Sequence, residues 1–241
     1  MPFVIQTIND EIAFDFGFQL NQLANSNLFS NYKVTLSDIP LKDHIPIGSV
    51  EFVHESMELH GFDIPSPINI PSNLNNWDIL NRTINYTNDL NEIKVGDFVK
   101  SMTKVKGGFT GILYSENDKI SLPQDDYLVS EFVDFESEWR AFISYGKIQD
   151  VRQYLGDYWV TPNVSIIQHV IGLYKDAPSA YTIDVGVSDD KTSLIEIHNF
   201  YSCGLYGFSI RKAAMMWISW WNEFLKNNRQ IGKSEKGATC F

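Results

Sequence analysis

One stretch of this chain, residues 180–199, limits the possible folds more than any other. It has the pattern of two apolar strands that turn at Ser188-Asp189-Asp190-Lys191, which predicts a β-hairpin. Each strand carries one carboxylate among residues suited to burial, Asp184 and Glu196, twelve positions apart. Two carboxylates on one face repel each other unless a cation lies between them. Magnesium binds proteins through one or two carboxylates and keeps water or phosphate as its other ligands, so the hairpin predicts a magnesium site.

Three more residues extend this prediction to a nucleotide. Asn199 at the end of the second strand, or alternatively His198, is the candidate third metal ligand. Lys100 lies in a strand pattern that is otherwise suited to burial. A buried lysine is costly without a counter-charge, and a phosphate group would supply one. Carboxylates for a metal and a lysine for phosphates together predict a site for a magnesium–nucleotide complex.

The pattern from residue 96 to residue 227 is that of antiparallel strands and two helices. Three strands are predicted from DFVKSMT, FTGILYS and YLVSEFV, and a hairpin is predicted to turn at Tyr145-Gly146-Lys147. One helix is predicted to begin after Asn163, a suitable N-cap, and another at Ser209. The second helix carries an aromatic stripe at helical spacing, which predicts core packing or, alternatively, a face for a protein partner: Trp217, Trp220, Trp221 and Phe224.

The first 95 residues differ in composition from the rest. They hold four Lys/Arg against twelve Asp/Glu, whereas the remainder holds fifteen against eighteen. We predict a small N-terminal α/β lobe over 1–95, with a helix near 10–25 and short strands around 47–53, and a flexible tail over 228–241.

Charge and composition exclude several classes of function. A net charge of −11 will not attract a nucleic-acid backbone, so nucleic acid is not an expected partner. No stretch has the run of about 20 apolar residues that a membrane-spanning helix needs. The N-terminal sequence lacks the pattern of a secretion signal, and two cysteines do not make a disulfide framework, so a cytoplasmic protein is expected.

Three segments, in order, resemble the ATP-grasp superfamily: FVKSMTKVKGGFTG, VSEFVDFESEWR, and TIDV followed by SLIEIHNFYSCGLYGF. The sequence is most similar to its phage- and bacterium-borne ligase-like branch, over about residues 96–208. The resemblance implies an α+β ATP-grasp fold, in which antiparallel sheets and helices form two lobes around a nucleotide cleft. It makes residues 96–227 the ATP-grasp core and 1–95 the substrate or partner side.

The resemblance also implies roles for individual residues. Lys100 matches the lysine that contacts phosphates, and Asp184 and Glu196 match the metal carboxylates. The sequence departs from the family's Glu-x-Asn pattern, because His198 stands two residues after Glu196. The other implied positions bind phosphates (Lys106, Thr110), adenine (Glu131, Phe132, Val133) and ribose (Glu138), or steady the transferred phosphoryl group (Arg140, Arg152, with Lys106).

The implied activity is that of an ATP-dependent, ADP-forming ligase that joins a carboxylate to an amine through an acyl phosphate. ATP and Mg²⁺ are the implied cofactors, and small molecules or peptides the implied substrates. Two alternatives stay open. One is a nucleotide-dependent binding or assembly factor without ligase turnover; the other is an acidic protein-interaction module that uses residues 1–95.

Overall fold

The protein was examined as a computed structural model that describes residues 1–12, 32–102, 111–115, 117–118 and 122–234, without the side chains of 229–234. Within these ranges the chain forms three four-stranded sheets with helices between and around them. The α+β ATP-grasp arrangement expected from the sequence is confirmed. None of the described helices is both long enough and apolar enough to cross a bilayer.

The N-terminal sheet is partly parallel. Strand β1 (Phe3–Ile8) pairs in parallel with β3 (Val34–Ser37) and β4 (Ile45–Ile47), and antiparallel with β2 (Glu11–Ile12). The helix predicted near 10–25 is wrong at its start, where β2 lies, and its remainder falls outside the described residues.

Helix α1 (Val50–Leu59) replaces most of the strand predicted around 47–53. Only Ile47 is in a strand, because Ser49 caps a helix by accepting a hydrogen bond from the Phe52 amide. Val53 and Met57 then recur at helical spacing and are fully buried. The short apolar run VEFV fits either element, and the cap decides for the helix.

The middle sheet has the order β5-β8-β6-β7, with all pairs antiparallel. Its strands are β5 (Ile84–Thr87), β6 (Asp97–Ser101), β7 (Ile112–Leu113) and β8 (Tyr127–Glu131), and helix α2 (Trp77–Leu80) precedes it. Both β5 and β6 pair with β8, so a boundary at residue 95 would divide this sheet.

The central sheet consists of the two predicted hairpins, in the order β10-β9-β11-β12. Its strands are β9 (Ser137–Ser144), β10 (Lys147–Gly156), β11 (Ala180–Ser188) and β12 (Lys191–Asn199). Both turns have two left-handed residues, with φ of 48° and 68° at Tyr145-Gly146 and 50° and 58° at Asp189-Asp190. Such type I′ turns match the twist of the strands they join.

Two helices cover this sheet. Helix α3 (Val164–Leu173) begins as predicted, with the Asn163 side chain accepting from the Ser165 amide. Helix α4 (Ile210–Ser234) also begins as predicted but continues past residue 228, so the first part of the predicted flexible tail is helical. The Asn228 amide group donates to the carbonyl of Phe224 one turn earlier, and so it does not interrupt the helix.

The two faces of the central sheet bury different things. One face is apolar along its length and packs against α3 and the segment between α1 and β5. The other packs against α4 through Phe142, near one end of the strands, and carries charged side chains near the other end. The aromatic stripe of α4 belongs to this core, as predicted, with Trp217, Trp220 and Trp221 at most 4% exposed. Those indoles therefore do not form a docking surface.

Candidate active site

A row of charged residues crosses the central sheet. In the strand register, Arg152 of β10 pairs with Arg140 of β9, Arg140 with Asp184 of β11, and Asp184 with Glu196 of β12. Directly paired residues of antiparallel strands project from the same face. The expectation that Asp184 and Glu196 share a face is therefore confirmed.

A β-bulge in β12 creates this arrangement. Asp184 pairs with Glu196 but the next residue, Val185, pairs with Leu194, so Ile195 is an extra residue. Without it, Asp184 would face Ile195 and Glu196 would project from the opposite face. Arg82 holds the bulge from the side, donating to the carbonyls of Leu194 (2.8 Å) and Ile195 (3.5 Å).

Asp184 is buried and fully engaged by Arg140. The Arg140 guanidinium donates from Nε to Oδ1 (2.8 Å) and from Nη2 to Oδ2 (2.7 Å), and the two side chains are 9% and 2% exposed. Burial by itself would lower the pKa of Arg140, but the Asp184 carboxylate more than compensates and raises it above the normal value. This is a fixed, bidentate ion pair.

Glu196 lies between two nitrogen groups. The Lys100 ammonium from β6 contacts its Oε2, and His198 Nε2 lies 2.8 Å from its Oε1. Burial would raise the pKa of Glu196, but His198 and Lys100 together hold it well below the usual range. Glu196 is therefore ionised throughout the neutral range.

Three side chains could bind one cation together. One ligand atom from each of Asp184, Glu196 and His198 lies within 4.8 Å of the other two. Carboxylate oxygens are ligands that Mg²⁺ prefers, whereas imidazole suits transition ions better. The donors thus fit a divalent cation, and the imidazole makes the set less specific for magnesium.

Asn199, the first candidate for third ligand, is positioned differently. It also lines the cavity, but its Oδ1 accepts a hydrogen bond from Trp220 Nε1 at 3.0 Å. Residues at odd and even positions of a strand point to opposite faces, and Glu196 and His198 share theirs. The geometry therefore brings His198, rather than Asn199, to the two carboxylates.

A cavity of about 580 Å³ opens over these groups, between the middle and central sheets. The Glu131–Val133 segment, which connects the two sheets, lines one side of it. The Glu131 carboxylate accepts from the Thr83 amide (2.9 Å), which leaves the backbone of this segment along the cavity. Glu138 also lines the cavity, and burial raises its pKa while a hydrogen bond with Tyr154 opposes that rise.

A family model for the ATP-grasp domain, representing the second family of its clade, matches residues 77–216, more than half of the chain. The protein belongs to this ATP-grasp family. The match begins before residue 96, and so it includes β5 and Arg82.

Solved structures with the same fold cover nearly the whole chain. A RimK domain ATP-grasp protein from Sphaerobacter thermophilus is 12% identical, with a TM-score of 0.51 over 91% of this chain and 96% of its own. D-alanine–D-alanine ligase from Bacillus anthracis is 13% identical, with a TM-score of 0.51 over 97% and 98%. N5-carboxyaminoimidazole synthetase from Staphylococcus aureus is 11% identical, with a TM-score of 0.50 over 86% and 73%. A search of curated proteins found no match.

The ATP-grasp cavity contains most of the residues singled out from the sequence. Lys100, Glu131, Phe132, Val133, Glu138, Arg140, Asp184, Glu196, His198 and Asn199 all line it. Arg152 is on the same sheet face but turns its guanidinium to Asp150 (2.6 Å), and it is not among the described residues that line the cavity. Lys106 and Thr110 lie outside the described residues.

Three cavity residues were not predicted. Arg82 is 7% exposed, and burial lowers its pKa to about 10. It is the single arginine or lysine between Lys42 and Lys94, which is the one signal that could have marked it. The rings of Tyr154 and Tyr206 stack on each other and lie 5.8 and 5.2 Å from the Arg140 guanidinium carbon.

Proposed function

We propose that this ATP-grasp protein is an ATP-dependent ligase that joins a carboxylate to an amine through an acyl phosphate and releases ADP. One observation carries the proposal. A carboxylate pair suited to a divalent cation and a lysine suited to phosphate converge in the cavity bordered by the segment that connects the two sheets. The cytoplasm, where ATP is abundant, is the proposed location.

The cavity offers a consistent position for each part of ATP. Backbone groups of Glu131, Phe132 and Val133 would bind adenine, and the ionised carboxylate of Glu138 would accept hydrogen bonds from the ribose. Lys100 would contact the phosphates, supported by Lys106 and Thr110. To do so, the Lys100 ammonium has to leave the Glu196 carboxylate that it now contacts.

Asp184, Glu196 and His198 would hold the magnesium ion. The ion would supply charge neutralisation for the phosphates, the chemistry that phosphoryl transfer chiefly requires. Asp184 can contribute while it remains paired, because each carboxylate oxygen accepts more than one interaction. The proposed third ligand is therefore His198, in place of Asn199.

The proposed reaction has two steps. A carboxylate oxygen of the first substrate attacks the γ-phosphorus of ATP, the bond to ADP breaks, and an acyl phosphate forms. The amine of the second substrate then attacks the carbonyl carbon, phosphate leaves, and the amine loses a proton. Arg140, fixed by Asp184 and bordered by the two tyrosines, would stabilise negative charge on the transferred group. Arg152 is directed towards Asp150 and is left out of this proposal.

The test measures ADP release with a panel of carboxylates and amines, and hydroxylamine is added to trap an acyl phosphate as a hydroxamate. ADP together with hydroxamate is expected for the wild type, and neither for Asp184→Asn or Glu196→Gln. Asp176→Asn, an exposed carboxylate outside the cavity lining, is the matched control and should be unchanged. Full ADP release by both site variants, or AMP as the product, would refute the proposal.

One observation favours a nucleotide-dependent binding or assembly factor as second candidate. Both oxygens of Asp184 are already bonded to Arg140, and an imidazole stands where the family pattern has an asparagine. Such a protein would gain thermal stability from ATP and a divalent cation but release no ADP with any substrate pair. This result would replace the ligase with the binding factor.

A further inference from the structure

Two large aromatic side chains project into solvent between β10 and α3. Trp159 is 85% exposed and Tyr158 is 66% exposed, and their rings pack perpendicular to each other at 5.8 Å. The other five tryptophans are well below this, with Trp77 next at 62%. Exposed tryptophan is unusual on a protein surface unless it contacts a partner, because so large an apolar ring gains most from burial.

This exposure does not come from a loose loop. The Ser137 hydroxyl donates to the Val160 carbonyl (2.6 Å), and the Trp139 indole donates to the same carbonyl (3.1 Å). At the other end, the Asp157 amide donates to the Glu136 carbonyl (2.8 Å), and Asp157 Oδ1 accepts from the Trp159 amide (2.9 Å). The backbone that carries the two rings is thus held on both sides. A fixed aromatic pair loses little conformational entropy when it binds a partner.

Carboxylates surround the two rings. Asp157 lies between them and Glu136, and the Glu136 carboxylate accepts from the Asp189 amide at 3.0 Å. Asp190 follows in the same turn, and all four acidic residues are exposed. We call the six residues Glu136, Asp157, Tyr158, Trp159, Asp189 and Asp190 the aromatic–acidic patch. Against these four carboxylates stands one adjacent base, Lys191, so the charge of the patch is strongly negative.

We propose that the aromatic–acidic patch binds a basic peptide segment that carries apolar side chains. The rings provide apolar and cation–π contacts for such a segment, and the carboxylates provide the complementary charge. Phe135 lines the ATP-grasp cavity and is adjacent to Glu136, so a bound segment would lie at the cavity rim. This inference depends on the surface alone and stands whether or not the protein is a ligase.

The test uses full-length protein and a fluorescein-labelled twelve-residue peptide of alternating lysine and leucine. Two comparison peptides replace either lysine by glutamate or leucine by serine. Fluorescence anisotropy is measured at low and physiological salt. The alternating lysine–leucine peptide should bind best, and binding should weaken with salt, because exposed charges are screened.

Two variants separate the contributions. Tyr158→Ala with Trp159→Ala should weaken binding about tenfold or more, as expected when central aromatic contacts are lost. A second variant replaces the four acidic residues by their amides, which keeps shape and hydrogen-bond acceptors, and it should flatten the salt dependence. Tyr145→Asn is the matched control, since Tyr145 is 70% exposed at the opposite end of the β9–β10 hairpin. Asparagine tolerates the left-handed φ of this position, and binding should stay unchanged.

Three results would overturn the proposal. The first is equal binding by the double alanine variant and the wild type, and the second is equal binding of the glutamate peptide. The third is a dimer in sedimentation experiments that the double alanine variant abolishes, because the patch would then be covered by a second copy of this chain.

Discussion

The Asp184–Arg140 pair gives the sharpest test of the site, because the structure separates its role in stability from its role in chemistry. Both Asp184→Asn and Glu196→Gln should abolish ATP turnover. Only the first should strongly destabilise the fold. Asp184 is paired inside the protein, with side chains 2% and 9% exposed, whereas Glu196 and its partner Lys100 are 22% and 26% exposed.

The magnitudes follow from this difference in burial. In Asp184→Asn the guanidinium of Arg140 stays buried without a counter-charge, which typically costs about 3–5 kcal/mol of the free energy of unfolding. In Glu196→Gln the Lys100 ammonium can turn towards water, so the loss should be about 1 kcal/mol. For a chain of this length, about 3–5 kcal/mol corresponds to a melting temperature lower by roughly 6–20 °C.

Urea unfolding of the ligand-free protein in EDTA, followed by tryptophan fluorescence, measures both values. A double replacement, Arg140→Met with Asp184→Leu, serves as the control, because it removes both charges and keeps apolar volume. It should recover most of the stability lost in Asp184→Asn, without recovering turnover. Equal losses of stability in Asp184→Asn and Glu196→Gln, or no recovery in the double variant, would refute the reasoning.

Four further outcomes are expected. Lys100→Met should weaken ATP binding about 10- to 150-fold in calorimetry, the effect of losing one charge-assisted contact, and an unchanged affinity would contradict its phosphate role. His198→Asn should raise ADP release with Mg²⁺ relative to Mn²⁺, since an amide oxygen replaces an imidazole; an unaltered metal preference would exclude His198 as a ligand. Glu138 binds its proton more tightly in the folded than in the unfolded chain, so its ionisation costs stability as the pH rises through its raised pKa. Glu138→Gln should therefore stabilise the apo protein at neutral pH, weaken ATP binding, and remove the loss of ATP affinity on acidification, whereas a pH profile like that of the wild type would contradict this. Arg82→Met should lower the affinity for a divalent cation while the protein stays folded, and normal cation affinity in a folded variant would show that Arg82 does not position Glu196.

The sequence predicted the central sheet well because turn chemistry and alternation agree there. Asp189-Asp190 and Tyr145-Gly146 tolerate left-handed backbone, and apolar residues alternate on both sides of each turn. The strands on either side then have few alternative registers. As a result, the carboxylate pair and the connecting segment at Glu131 could be assigned before the fold was known.

The misses share a different cause, which is that contacts distant in sequence decided them. Val50 and Val53 fit a strand or a helix equally well, and only the cap at Ser49 distinguishes the two. Asn199 has the right chemistry for a metal ligand, but Trp220, twenty-one residues later, takes its oxygen. No local pattern carries either kind of information.

The bulge at Ile195 links these two lessons. The turn at Asp189-Asp190 by itself sets a register in which Asp184 faces Ile195, so the hairpin alone would leave its two carboxylates on opposite faces. One extra residue reverses this, and a bulge needs partners for the backbone groups that the ladder no longer pairs. Arg82 supplies them from 112 positions away, through the carbonyls of Leu194 and Ile195. Among the described residues no carboxylate forms an ion pair with it, so the cost of burying its charge is offset by these carbonyl contacts. The local sequence of β11 and β12 therefore supplies the ligand types, and a residue outside that hairpin determines that they meet.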